Sequence, residues 1–379
     1  MVLFYRPARA EISLDAFRHN LHALRGLLPQ GMRMMAVVKA NAYGHGAYEI
    51  AQEAVACGVD YIGVAFLDEA VYLRKAGISA PILVLGYTPP EGASIARELA
   101  ITVTVYSEEV LYALSRAGEA GQPVKIHIKI DTGMGRIGLR GKQDAISFIE
   151  KALRTRGVAV EGLFTHFACA DQTDKSCSNA QFGRFDEIAT HFAGKGVRFP
   201  YLHTGNSATA IDMPELSYNM IRLGISLYGL YPSAEVKRER VDLKPVMSLK
   251  SEVVMLWTQR TGTIAILPFG YADGFPRQLS GKANVLIRGR MAPVAGNICM
   301  DQCMIDVAEI PNGAVGDEAV LLGQQGDLRI HAGDWADAMG TISYEVTCRV
   351  ASRVPRIYVR DGQIIKVVNA LNQNGACLL

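Results

Sequence analysis

The chain lacks any apolar run near the about 18 residues that a membrane-spanning helix needs, so no bilayer-crossing helix is expected. It has no Lys/Arg block and no aromatic–basic interleaving, and its net charge of +2 favours no polyanion. That removes the usual footprint of a nucleic-acid binder. Eight histidines show neither H-E-x-x-H nor another ligand spacing, so no structural or catalytic metal is expected. Cys57, Cys169, Cys177, Cys299, Cys303, Cys348 and Cys377 are odd in number and contain no C-x-x-C pair. Such usage argues against a disulfide framework and for a reducing compartment. The opening Met1-Val2-Leu3-Phe4-Tyr5-Arg6 is too short an apolar run for a signal peptide, so a cytoplasmic location is expected. Internal repeats and low-complexity segments are also missing.

What is present suits a folded enzyme-sized chain. At 379 residues, 49% hydrophobic and 20% charged, it has room for one large domain and a smaller one. Eight short apolar segments read as buried parallel strands: 35–40, 61–66, 81–86, 101–106, 124–130, 160–167, 201–205 and 219–225. Helical spacing separates them. Leu14, Phe17, Leu21, Leu24 and Leu28 recur at three and four residues behind Ser13, a candidate N-cap, and Ile146, Ile149 and Leu153 repeat the pattern. Eight such units suggest an α/β chain built as a (β/α)8 TIM-type barrel, although a doubly wound open sheet has the same local pattern. After the polar linker 233–242 the runs turn β-rich: Ser248–Leu256, Thr263–Phe269, Ala283–Arg288, Cys303–Val307, Ala319–Leu322 and Ile357–Val359. One helical pattern, Ala332–Met339, interrupts them. The expected division is 1–235 for the barrel, with its first ~10 residues able to pack elsewhere, and 236–379 for a C-terminal mainly antiparallel β domain.

The sharpest local feature is Ala36-Val37-Val38-Lys39-Ala40-Asn41-Ala42-Tyr43-Gly44-His45-Gly46. A lysine at the end of a buried strand is out of place as structure, because ammonium groups are rarely buried unpaired. Covalent bonding to an aldehyde removes that problem. In a (β/α)8 barrel, function sits where strands end. Those ends carry Lys39; Lys129 with Asp131 and Arg136; His166; Asn206 with Ser207; and Arg222 with Gly224. A phosphorylated aromatic aldehyde would use such groups. Backbone N–H groups near Gly224-Ile225 and the hydroxyls of Ser207 and Tyr43 suit a phosphate, and Arg222 suits a ring nitrogen.

The Lys39 stretch resembles the cofactor-lysine motif of alanine racemases. Further motifs resemble that family in the same order across nearly the whole chain: Asp131-Thr132-Gly133-Met134-Gly135-Arg136, Gly205-Asn206-Ser207, Arg222-Leu223-Gly224-Ile225, Gly270-Tyr271-Ala272-Asp273-Gly274, Cys299-Met300-Asp301-Gln302 and Tyr344-Glu345. The resemblance implies pyridoxal 5′-phosphate as cofactor, an amino-acid substrate and a homodimer with shared sites. It implies that Lys39 carries the cofactor and takes the α-proton of D-alanine, giving L- and D-alanine interconversion that supplies peptidoglycan. By the same likeness Arg136 and the Met300 backbone hold the substrate carboxylate, Met300 coming from the other subunit. Lys129 matches a position that can be carbamylated and then fixes Arg136. Tyr43, Ser207, Gly224, Ile225 and Tyr344 match phosphate contacts, Arg222 faces the pyridine nitrogen with His166 linked to it, and Tyr271 lines the substrate entrance.

The match departs at one place. The family uses a second proton-transfer tyrosine in a Val-Ser-Tyr-Gly-like segment of the β domain, and no tyrosine lies between Tyr231 and Tyr271 here. Racemisation needs proton removal on one face and return on the other. Tyr271 or His166 is then the candidate for the vacant face. The alternative is a member of the same family with one-face chemistry, slow exchange or transamination, and exchange of D-alanine is expected to outrun inversion. Two other signals compete. Gly133-x-Gly135-x-x-Gly138 formally matches a dinucleotide fingerprint, but Leu139–Lys142 intervenes before the helical pattern. The Cys299/Cys303 pair suits small core residues better than metal or redox chemistry.

Overall fold

The structure, a computed structural model, describes residues 5–119, 121–259 and 262–372. Most of the opening apolar run and Cys377 lie outside them. Eight parallel strands form a barrel: β2 (Arg33–Val37), β3 (Tyr61–Val64), β4 (Ile82–Val84), β5 (Thr102–Val105), β6 (Val124–Lys129), β7 (Val158–Phe164), β8 (Tyr201–His203) and β9 (Met220–Leu223), all following β1 (Arg9–Ser13). They run in the order β8-β7-β6-β5-β4-β3-β2-β9. The ring is completed between β8 and β9, where the Leu202 N–H donates to Asn219 Oδ1 (2.8 Å) and the Asn219 N–H to the Leu202 carbonyl (3.3 Å). All eight expected strands are present, each ending before its expected last residue, while β2 and β7 begin two residues early, at Arg33 and Val158. The C-terminal residues that leave the ladder form the loops at the C-terminal face. Ser13 is the N-cap of the helix Leu14–Leu27, its Oγ accepting the Ala16 N–H at 3.1 Å. The glycine run after β6 is no dinucleotide loop. Asp131 Oδ1 accepts the N–H groups of Gly133, Met134 and Gly135, and the chain returns to pair Leu139 with Lys129 before the helix Lys142–Arg154.

The second sheet is mainly antiparallel. Its later strands are β10 (Met247–Glu252), β11 (Met255–Gln259), β12 (Gly262–Leu267), β13 (Asn284–Ile287), β14 (Arg290–Ala295), β15 (Cys303–Asp306), β16 (Glu318–Gln325), β17 (Leu328–Ile330), β18 (Arg356–Arg360) and β19 (Gln363–Val368). The expected single strand Ser248–Leu256 is two strands broken at Val253-Val254. Likewise Trp257–Thr263, read as a connector, is mostly ladder: β11 and β12 form a hairpin with Gln259 opposite Gly262. The expected helix Ala332–Met339 is present, and a second helix, Ser343–Cys348, follows.

The two sheets are tied through their ends. β1 lies in the second sheet, antiparallel to β10 and parallel to β18, yet runs straight into the barrel's first helix. Buried Glu53 on the barrel helix Ala47–Ala56 accepts from Arg18 of the first helix and from Arg360 of β18. One carboxylate thus joins three elements. Both arginines are about a third exposed, so water screens them when the partner is lost. Glu53→Ala is expected to destabilise the chain by about 1–2 kcal/mol, measured by denaturant unfolding. No change in the unfolding midpoint would contradict this.

Candidate functional site

The lysine singled out by sequence does not end a strand. β2 stops at Val37, and Lys39 opens a tight turn in which Ala40, Asn41, Ala42 and Tyr43 all take left-handed backbone angles, φ 52–54°. Each such non-glycine residue costs about 1–2 kcal/mol. The surroundings offset that cost. Glu69 accepts the Ala40 N–H at 2.7 Å and also holds Ala65 at the end of β3. Asn41 Oδ1 accepts the Ala47 N–H at 2.8 Å. From the β sheet, Arg356 donates to the Gly44 carbonyl at 3.2 Å and the Tyr358 hydroxyl to the His45 carbonyl at 3.0 Å. A Cβ on Gly44 would stand 2.1 Å from the Thr347 carbonyl oxygen, so only glycine fits between the turn and the helix Ser343–Cys348.

The turn forms one wall of a cleft of about 470 Å³ at the C-terminal ends of the barrel strands. Four cations line it: Lys39, Lys129, Arg136 and Arg222. Burial, then the nearby Arg136, lowers the Lys39 ammonium below its ordinary value, against a smaller opposing pull from Glu69. Lys129 is fully buried and pushed well down, first by desolvation and then by Arg222 and Arg136. Phe164 lies between two of these charges, its ring centre 4.5 Å from Lys129 Nζ and 5.5 Å from the Arg222 guanidinium carbon. A Phe face attracts both cations.

Arg222 is the most heavily bonded side chain in the cleft. Nη1 donates to the His203 carbonyl and to His203 Nδ1, both at 2.9 Å. Nη2 donates to the carbonyls of Thr165 (2.8 Å) and Thr204 (2.9 Å) and to His166 Nδ1 (3.1 Å). Nε–H takes part in none of these and is left for the cleft. Burial lowers this guanidinium to about 9, so it stays charged at neutral pH. Its donations also set the tautomers. His203 accepts at Nδ1, so Nε2 carries its proton and donates to His127 Nδ1 at 2.8 Å. His166 likewise accepts at Nδ1 and keeps its proton on Nε2. Burial and Arg222 hold His166 and His203 well below the ordinary histidine range, and burial takes His127 to about 3.

At another part of the cleft lie Tyr43, Asn206, Ser207, Gly224, Ile225 and Tyr344. Asn206 caps the helix Ser207–Asp212 through Oδ1 and the Thr209 N–H at 3.1 Å, and Ser207 Oγ accepts the Gly224 N–H at 3.0 Å. A Cβ on Gly224 would fall 2.5 Å from the Tyr43 hydroxyl oxygen.

Eleven sequence-derived residues therefore share one cleft: Lys39, Tyr43, Lys129, Arg136, His166, Asn206, Ser207, Arg222, Gly224, Ile225 and Tyr344. Tyr271 and Met300 do not. They lie together elsewhere, zipped by the Tyr271 N–H to the Cys299 carbonyl and the Ala272 N–H to the Met300 carbonyl, both 3.0 Å. Both are substantially exposed, at 42% and 53%. Buried Asp273 fixes this loop by accepting the Gly270 N–H and pairing with Arg6 and Arg353. Sequence reasoning missed Phe164 and Tyr228. Phe164 could have been found, since it precedes His166 by two residues and so shares its face of the strand. Tyr228, whose hydroxyl donates to the Val37 carbonyl at 2.8 Å beneath the Lys39 turn, carried no such signal.

A parallel barrel with a lysine-bearing, cation-lined cleft at its strand ends, joined to an antiparallel β domain, defines a two-domain barrel protein with an electropositive cleft. Comparison narrows this class. Residues 12–232 match the alanine racemase N-terminal domain and residues 247–358 its C-terminal domain. An alanine racemase of Desulfovibrio desulfuricans is 47% identical over 375 residues, covering 95% of this chain and 100% of that one. The alanine racemase of Clostridium difficile 630 in complex with cycloserine superposes with a TM-score of 0.92 at 38% identity, covering 97% and 99% of the two chains. The Bacillus anthracis alanine racemase with bound L-Ala-P gives 0.90 at 36%, covering 98% and 100%. The chain belongs to the alanine racemase family.

The buried imidazoles make a prediction about acid. His45 and His127 fall to about 4 and about 3 in the folded chain, from an ordinary 6.5. Between those values the unfolded chain binds more protons, so folding stability rises with pH and is lost as pH falls below about 6.5. The loss is on the order of 1.4 kcal/mol per pH unit for each histidine. The melting temperature should decline steadily from pH 6.5 to 4.5; a flat profile over that span would contradict it.

Proposed function

We propose that the chain interconverts L- and D-alanine with pyridoxal 5′-phosphate held at Lys39, in the cytoplasm, supplying D-alanine for peptidoglycan. The observation that carries this is a lysine amine held below its ordinary pKa at the head of a four-cation cleft. The full-length likeness to proteins named alanine racemase supports the substrate and reaction. The donor set fits the cofactor. Hydroxyls of Tyr43, Ser207 and Tyr344 with the Ile225 N–H suit its phosphate, the Gly224 N–H fixes Ser207 Oγ, Asn206 caps the helix that Ser207 opens, and Gly224 keeps the backbone open beside Tyr43. Arg222 offers Nε–H to the ring nitrogen.

Bound through its aldehyde carbon to Lys39, the cofactor supplies a sink for the electron pair left at Cα when the α-proton is removed. With the substrate amine in its place on the aldehyde carbon, the freed Lys39 Nζ would take the α-proton on its face. Arg136 orients the substrate carboxylate. Arg222, charged at neutral pH, would keep a ring nitrogen beside it unprotonated, which would favour prompt return of a proton.

Return on the opposite face needs a second group. His166 is poorly suited, because its Nδ1 lone pair already accepts from Arg222 and its Nε2 carries a proton. It serves to hold Arg222. Tyr271 is the better candidate, brought with Met300 by a second copy of the chain in a homodimer in which 236–379 completes the partner's barrel site. Exposed Met255, Trp257, Met300 and Ile342 support such an interface. Incubating each alanine enantiomer in heavy water tests both roles. Both should exchange and invert, with exchange of D-alanine the faster. Tyr271→Phe should cut inversion about 100-fold or more while sparing that exchange. Exchange without any inversion in the unaltered enzyme would leave only one-face chemistry.

Lys129 is proposed to react with carbon dioxide: its nitrogen bonds the carbon, a proton leaves, and the anionic carbamate pairs with Arg136. Burial against Phe164, with no carboxylate ion pair among the described residues, favours the neutral amine this needs. Carbon-13 NMR under labelled carbon dioxide should show one carbamate signal that Lys129→Ala abolishes. Its absence in the unaltered protein would end the proposal.

A further inference from the structure

The Lys39 turn contains an imidazole that the reaction does not use. His45 is fully buried, and its Nδ1 stands 2.9 Å from the Ala42 carbonyl oxygen and 3.0 Å from that of Tyr43. Two carbonyls can only accept, so Nδ1 carries the proton and donates to both. Ala42 and Tyr43 are the last two residues of the left-handed run that begins beside Lys39. The ring packs on Tyr228 with centres 4.6 Å apart, and Tyr228 packs in turn on Tyr43 at 4.8 Å. Nε2 has no partner among the described residues. His45 also lines a cavity of about 160 Å³ between the barrel and the β sheet, with Ser248, Gln324 and Thr347 among its polar neighbours. The imidazole therefore spends its one donor on the Lys39 turn and makes no other hydrogen bond among the described residues.

We propose that His45 is a positioning residue for Lys39. Its single N–H, shared between two carbonyls, holds the end of a backbone run that would otherwise relax toward right-handed angles and carry the lysine out of line. Tyr358 and Arg356 hold the carbonyls of His45 and Gly44 from the β sheet, so the turn is gripped from two sides. The histidine touches neither substrate nor cofactor and acts only through the backbone. The proposal rests on Lys39 being the attachment point for pyridoxal phosphate.

Three substitutions separate donor placement from bulk. In His45→Asn the side-chain amide N–H falls near the position of Nδ1. His45→Gln carries its amide further out, near Nε2, and His45→Leu has no donor. Two readouts apply: the dissociation constant for pyridoxal phosphate, followed by visible absorbance, and the rate at which borohydride traps a small aldehyde on Lys39 of the cofactor-free protein. Leu and Gln should each weaken cofactor binding and slow trapping about tenfold, the scale of losing such hydrogen bonds. Asn should recover most of both, and kcat should follow with little change in KM. If Leu fails to fold, the Asn–Gln contrast decides. Equal behaviour of Asn and Gln, or unchanged values in both, overturns the proposal. Lys39→Ala is the separate control: absorbance surviving there would overturn the attachment point itself, whatever the His45 variants do.

Discussion

The structure depends on one costly piece of backbone. Four successive non-glycine residues after Lys39 are held in left-handed angles, an arrangement that an isolated chain would abandon. It persists because bonds arrive from several directions: Glu69 from the helix after β3, Asn41 within the turn, and Arg356 and Tyr358 from the second sheet. This explains why the β domain is not a mere appendage. The barrel's central lysine is placed by residues more than three hundred positions later, and the close approach of Thr347 to Gly44 leaves no slack between them.

Charge is the second organising constraint. Four cations around one cleft repel each other, and among the described residues Asp171 is the only carboxylate that lines it. Asp131 is turned to its own loop's N–H groups and Glu69 to backbone amides. Aromatic faces and carbonyls take their place. Phe164 lies against Lys129 and Arg222, and three backbone carbonyls with two imidazoles surround Arg222. The outcome is a fixed charge at Arg222 and lysines that give up their protons more readily than usual. Such a cleft carries positive charge beside amines that give up their protons readily.

Much of this was legible in the residues and some was not. The eight barrel strands are apolar runs between breakers, so their existence followed directly, while their ends did not because the site loops begin with the same residue types. The left-handed turn was invisible: Ala40, Asn41, Ala42 and Tyr43 include no glycine, and the cause lies in distant partners. β1 and β19 were missed because charge interrupts them, β14 because Pro293 does, and β17 because it is very short. β11 and β12 were placed too coarsely, since the break at Val253-Val254 is apolar. Ten site residues were found because strand ends mark function in a barrel, whereas Tyr344, on the helix Ser343–Cys348, followed from the family resemblance alone. That Tyr271 and Met300 stand apart from the others on one chain is a fact of three dimensions that motif order does not carry.

Everything proposed for the cleft follows from Lys39 as the attachment point. Mixing the protein with pyridoxal 5′-phosphate, reducing with borohydride and mapping the peptides by mass spectrometry tests it directly. A single pyridoxyl group on Lys39 is predicted. Label on Lys129 or another lysine in its place, or no stable label, would contradict it.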